Sequence, residues 1–182
     1  MGHRRKPRLP GFGERTDAGY VAWQTADPQI GGFCTIERGA VVAIDGIRVG
    51  CMGGAVSVDR GRRTLGRSYW IDETVNDDNV ARAIDGGPVD LWLTHDAVGV
   101  PPVLDKTSWP DPYLQHDLAM AESRMRSMFE VLRPRLHVHG HFHVDYSAAT
   151  EYGVVVGLGC EDVRTSCIVV DTDDLAAWSW AQ

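Results

Sequence analysis

Val89-Asp90-Leu91-Trp92-Leu93-Thr94-His95-Asp96-Ala97 is an apolar run of strand length that ends in a polar His-Asp pair. It follows a stretch of helical pattern, Asn76 to Ile84, closed by Gly86-Gly87-Pro88, where glycine and proline stop a helix. A buried strand entered from a helix and left through a polar loop is the repeating unit of an α/β fold. In such sheets ligands bind in the crevice outside the carboxyl ends of the strands. His95 falls there by its place in the chain.

Upstream, Ala40-Val41-Val42-Ala43-Ile44 and Ile47-Arg48-Val49-Gly50-Cys51-Met52 flank Asp45-Gly46. Asp-Gly between two apolar runs predicts a tight hairpin. Downstream, a Pro-rich loop from Pro101 to Pro112 leads into Asp117 to Leu132, where Leu118, Ala121, Met125, Met128, Phe129 and Leu132 share one helical face. That helix stops at Arg133-Pro134. Leu136 to His139, Val154 to Val156 and Cys167 to Val170 read as further strands. Residues 1–35, rich in Gly, Pro and charge, read as an irregular segment with one helical turn at Tyr20 to Gln24; residues 36–182 form the folded unit.

The 182 residues suit one domain, and 43% hydrophobic with 24% charged residues is the balance of a folded globular protein. A formal charge of −7 argues against general nucleic-acid binding, which needs clustered Lys and Arg to neutralise phosphates; a local basic pocket stays open. Cys34, Cys51, Cys160 and Cys167 form no Cys-x-x-Cys pair, so reduced thiols are expected. No apolar run approaches the roughly 18 residues a membrane span requires. Met1-Gly2-His3-Arg4-Arg5-Lys6 has no apolar stretch behind it and no Ser or Thr at position 6, so neither secretion nor myristoylation is signalled. The expected location is the cytoplasm, with no membrane partner.

Five histidines carry the chemistry: His95, His137, His139, His141 and His143. The last four alternate, so in an extended segment all four can share one side, with neighbours about 6–7 Å apart. Such a pair reaches two metal ions about 3.5–4 Å apart. Neutral imidazole suits Zn, Mn, Fe or Ni. Gly140 is expected to turn the backbone sharply and aim both following rings into the crevice. With this composition Gly-His-x-His arises by chance only about 0.03 times per chain, which makes its place at a strand end informative. His137 reads as a sheet histidine with satisfied hydrogen bonds, whereas His139 reads either as such a packed ring or as one that supports a metal ligand or faces the phosphate.

Val89 to Ala97 is similar to the fourth motif of calcineurin-like metallophosphoesterases, a strand ending in a metal-binding histidine. Gly140-His141-Phe142-His143 resembles the fifth. Gly53-Gly54-Ala55-Val56-Ser57-Val58-Asp59-Arg60 and Gly66-Arg67-Ser68-Tyr69-Trp70 with Glu73 resemble a segment of bacterial and phage members. The order and spacing agree from about residue 38 to 175. The resemblance implies part of an αββα sandwich and hydrolysis of a phosphate mono- or diester by a metal-activated hydroxide. It implies divalent ions (Mn, Zn or Fe, two in a complete site), with His95 and His141 on one and His143 on the other. Asp96 would orient His95 or cap its loop. Arg60, with Arg62 and Arg63, reads as a phosphate clamp or as a solvated basic loop.

The family's first three motifs, Asp-x-His, Gly-Asp-x-x-Asp and Gly-Asn-His-Asp/Glu, have no counterpart here, so no catalytic acid or base is assigned. The expectation is the carboxy-terminal part of the domain with its amino-terminal strands missing, whether truncated, split or decayed. A phosphate ester and a complementary amino-terminal chain are then the expected partners. The alternatives are a non-catalytic remnant or split-enzyme half acting as a binding or assembly module, and a protein binding a single metal ion.

Overall fold

The computed structural model describes residues 36–99, 101, 112–161 and 163–181. The expectations for residues 1–35 and for most of the Pro-rich loop lie outside the described residues.

The hairpin forms as its sequence predicts. Strands β1 (Val41–Ile44) and β2 (Ile47–Met52) are joined by Asp45 at φ 48° and Gly46 at φ 84°. Left-handed backbone at both positions matches the right-handed twist of the flanking strands. Helix α1 (Asp77–Gly86) starts at Asn76, whose side chain accepts from the Asn79 amide at 2.9 Å while Asn79 reciprocates at 3.2 Å. Strand β3 (Leu91–Thr94) follows, then α2 (Pro112–Leu132), β4 (Leu136–His139), β5 (Tyr146–Ala149), β6 (Val154–Gly157), β7 (Ile168–Val170) and β8 (Trp178–Trp180). Helix α2 begins ahead of the predicted Asp117 and adds Leu114 to its buried face.

Six strands make one mixed sheet in the order β1-β2-β3-β4-β6-β5. The inner four are parallel, and β1 and β5 are antiparallel edges. The fold is therefore mixed α/β, as expected. Period-2 alternation divides the side chains between two faces. Trp92, with Met125, Met128, Phe129 and Leu132 of α2, forms the core on the helix side. Val49, Leu91, Leu136, Val138 and Val156 face the other way, where Leu175 and the separate β7–β8 hairpin pack on them. Leu93 shares that second side but is left 39% exposed, so β3 is less enclosed than its apolar run suggests.

Register positions the site. Met52 pairs with Thr94, Thr94 with His139, and His139 with Gly157, so four parallel strands end in one row. The segments that leave the sheet there, from Gly53, His95 and Gly140, emerge side by side.

Candidate functional site

His95 is the first residue beyond β3, and its amide donates to the Met52 carbonyl of the neighbouring strand at 2.9 Å. The ring of His141 stands beside it, with centroids 5.1 Å apart. Both rings line a cavity of about 580 Å³, with Phe142 and His143 on the same lining. The opening lies at the carboxyl ends of β3 and β4, where an α/β sheet binds its ligands.

The four alternating histidines do not share one side. His137 and His139 belong to β4 and point into the helix-side core; they are 0% and 1% exposed. His141 and His143 leave the extended conformation, with φ of 66° and 56°. The histidines themselves thus make the left-handed turn that Gly140 was expected to supply. A non-glycine residue in that region costs about 1–3 kcal/mol and clusters at functional sites. Gly140 instead sits close to His95: a Cβ there would stand 3.8 Å from His95 Nδ1.

Hydrogen bonds sort the rings further. His139 Nδ1–H donates to the Gly140 carbonyl at 3.0 Å, and its Nε2 accepts from the Tyr146 hydroxyl at 2.7 Å. Both nitrogens are spent inside the protein, so His139 is not turned toward a ligand. His141 Nε2 is buried without a partner. Burial, and then the charge of His95, hold the His141 pKa down at about 4, against an opposing pull from the Val56 backbone. His95, although exposed, is also lowered, by the burial its ring does have and by the charge of His143. Rings that stay neutral at pH 7 keep a lone pair free for a cation.

Asp96 is buried, and its Oδ1 accepts the Ala97 amide at 2.9 Å. Burial raises its pKa to about 7, partly offset by that bond. Of the two readings of Asp96, its side chain takes the loop cap. Arg60 is not in the cavity wall: its guanidinium is paired with Asp117 of α2. The cavity arginines are Arg63, held by Asp59 at 2.7 Å, and Arg38, whose Nη1 donates to the Asp72 carbonyl at 2.6 Å. Arg38 was missed because it precedes the first strand and carries no pattern of its own. Glu73 and Ser57 complete this wall, the Ser57 hydroxyl donating to Glu73 at 2.6 Å. Gly54 makes the wall possible. At φ 96° a Cβ would come within 2.3 Å of the Glu73 carbonyl oxygen, so only glycine lets the two segments meet.

Among the described residues no group of three His, Cys, Asp or Glu side chains is arranged to hold a metal ion together. The fit to a metal is that of two neutral imidazoles, one with an orphaned buried nitrogen; the nearby carboxylates Asp59 and Glu73 are engaged with Arg63 and with Ser57 and Trp70. No helix of the described residues is long and apolar enough to cross a membrane. Comparison with protein-family models returns no match, and comparison with curated proteins returns none either.

Proposed function

We propose that this chain contributes the histidine side of a metal-dependent phosphoesterase, hydrolysing a phosphate mono- or diester. The observation that carries the reading is the buried, partnerless Nε2 of His141 beside the ring of His95 at the parallel strand ends. An unsatisfied buried acceptor costs about 1–3 kcal/mol, and a bound cation removes that cost. The left-handed backbone at both His141 and His143 and the resemblance of the two histidine motifs support the same reading. The fold that goes with it is part of an αββα sandwich, with the β7–β8 hairpin belonging to the second sheet.

In this reading His95 and His141 hold one ion and His143 reaches the second. Divalent Mn, Zn or Fe bound there would lower the pKa of a bound water and draw charge from the phosphoryl oxygens. Arg63 and Arg38 orient the phosphate from the facing segment, each already anchored through part of its guanidinium. Asp59 keeps its charge, because the hydrogen bond from Arg63 lowers its pKa, and so it holds Arg63 in place. A bridging carboxylate comes from a complementary amino-terminal chain, since two adjacent dications need an anion between them.

The second reading, a binding or assembly module without chemistry, is favoured by the lack of a third donor beside His95 and His141 among the described residues. Metal content of the purified chain, measured with hydrolysis of an aryl phosphate diester, separates the two. The phosphoesterase reading expects weak Mn or Zn binding and near-background hydrolysis alone. Hydrolysis should then appear when a segment bearing the carboxylate motifs is supplied. A soluble, metal-loaded complex that stays inactive would leave the module.

A further inference from the structure

Two buried side-chain nitrogens among the described residues lack any hydrogen-bond partner: His141 Nε2 and His137 Nδ1. The first belongs to the cavity. The second lies in the core, where the proposed chemistry does not use it. His137 packs against aromatic neighbours in tilted contacts, with Trp92 at 4.6 Å and Phe129 at 6.1 Å between ring centroids. An apolar side chain would suit that surrounding better than an imidazole with an orphaned nitrogen. Its other nitrogen gives the reason for a histidine. His137 Nε2 lies 2.9 Å from Thr94 Oγ1, and the Thr94 hydroxyl is also bonded to the Asp96 carbonyl.

The direction of these bonds is forced. A carbonyl only accepts, so the single hydroxyl proton of Thr94 goes to Asp96. The Thr94 oxygen must then accept from His137, which fixes the ring as the Nε2–H tautomer and leaves Nδ1 bare. The opposite tautomer would bury an unpaired N–H and set two lone pairs face to face. The chain of bonds spans His95, running from the core of β4 through residue 94 to residue 96. On its other side His95 is tied to β2 through the Met52 carbonyl.

We propose that His137 is a positioning residue: its Nε2–H, relayed through the Thr94 hydroxyl to the Asp96 carbonyl, fixes the backbone that presents His95 to the metal. The inference rests on reading His95 and His141 as metal ligands, but the relay itself is testable in the metal-free chain. His137→Met and Thr94→Val break it, whereas His137→Gln and Thr94→Ser keep a donor at the first position and a hydroxyl at the second. Two measurements on each variant are needed: amide hydrogen exchange at residues 95–97 without metal, and Co²⁺ titration followed by visible absorption. Denaturant unfolding of each variant separates stability from positioning.

The expected result is faster exchange at 95–97 and about tenfold or greater loss of Co²⁺ affinity in the two breaking variants. The two conservative variants should stay close to the parent, and His137→Met should unfold at the same or a higher denaturant concentration. Unchanged exchange in both breaking variants would overturn the relay whatever the metal does. Affinity that merely follows unfolding midpoint across all four variants would also overturn it, because His137 would then be a packing residue. A parent chain that binds no Co²⁺ while exchange responds as expected would retain the relay and sink the metal reading of His95.

Discussion

His137 and His139 on one hand, and His141 and His143 on the other, occupy equivalent places in an alternating sequence and end in opposite situations. The inner pair sits in a strand, with rings packed in the helix-side core and three of four ring nitrogens hydrogen-bonded inside the protein. The outer pair lies past the strand end in left-handed backbone and lines the cavity. The dividing line is the end of the ladder at His139, whose partners are Thr94 and Gly157. Up to that point strand pairing decides where a side chain points; beyond it the backbone is free to serve a site. An imidazole therefore lies in the core or on the cavity wall according to which side of the strand end it falls.

The sharpest way to break this division is to remove one ring from each side. His141→Ala should abolish the weak Mn²⁺ or Zn²⁺ binding expected of the chain, read by equilibrium titration, with little change in unfolding. Phe129→Ala, on the inner side, should do the reverse. That ring is 7% exposed and packs near Trp92, His137 and Tyr152, so truncation should cost about 3–5 kcal/mol in denaturant unfolding. Tyr146→Phe is the finer probe of the same region. It takes away the hydroxyl that His139 Nε2 accepts from, leaving a buried acceptor unpaired, and should cost about 1–3 kcal/mol without altering metal affinity. Loss of metal in Tyr146→Phe equal to that in His141→Ala would erase the distinction.

Much of this was legible because it depends on local pattern. The Asp45-Gly46 turn, the apolar face of α2 and the strands β3 and β4 all follow from periodicity and turn chemistry. β5 was not legible: Tyr-Ser-Ala-Ala has little apolar alternation, and its strand character comes from pairing with Val154 to Gly157 of β6. The candidate site was legible as a set of residue types and a strand end, which brought out His95, His141 and His143, the three histidines on the cavity wall. What the sequence hid was the choice among similar neighbours. A single 3₁₀ turn over Arg60–Arg62 sends Arg60 toward Asp117 and leaves Arg63 in the cavity wall. Likewise Gly140 looked like the turning residue, while the strained φ values fell on the histidines after it.

Acid should weaken the fold through rings on both sides of that line. His95, His137, His139 and His141 all have folded pKa values below the ordinary 6.5, chiefly through burial. As pH falls past 6.5 the unfolded chain takes up protons that the folded chain refuses. The stability from these groups is therefore present above that pH and is lost as pH drops toward their folded values. Asp96, raised to about 7, works the other way and adds stability on acidification, but it is one group against four. Unfolding midpoints should fall between pH 6.5 and 5. His137→Met should flatten that fall by up to about 1.4 kcal/mol per pH unit, since one such group no longer titrates. A profile unchanged by His137→Met would mean that this ring is not held neutral by the core.

The smallest effect is the most direct test of the backbone difference. At His143, φ of 56° is a conformation that L-residues adopt at a cost of about 1–2 kcal/mol, with histidine among the residues that tolerate it better. Glycine removes that cost but gives back about 0.5–1 kcal/mol through the greater freedom of the unfolded chain. His143 is exposed, so little packing is lost with its ring. His143→Gly should therefore leave the metal-free chain as stable as before, or more stable by up to about 1 kcal/mol. His137→Gly, the same change six residues earlier, removes a wholly buried ring from a paired strand and should be strongly destabilising. The pair is best measured by denaturant unfolding in the presence of a chelator, so that bound metal cannot mask strain. A clear loss of stability in His143→Gly would show that the ring at 143 supports the fold, and the outer pair would no longer be free of structural duty.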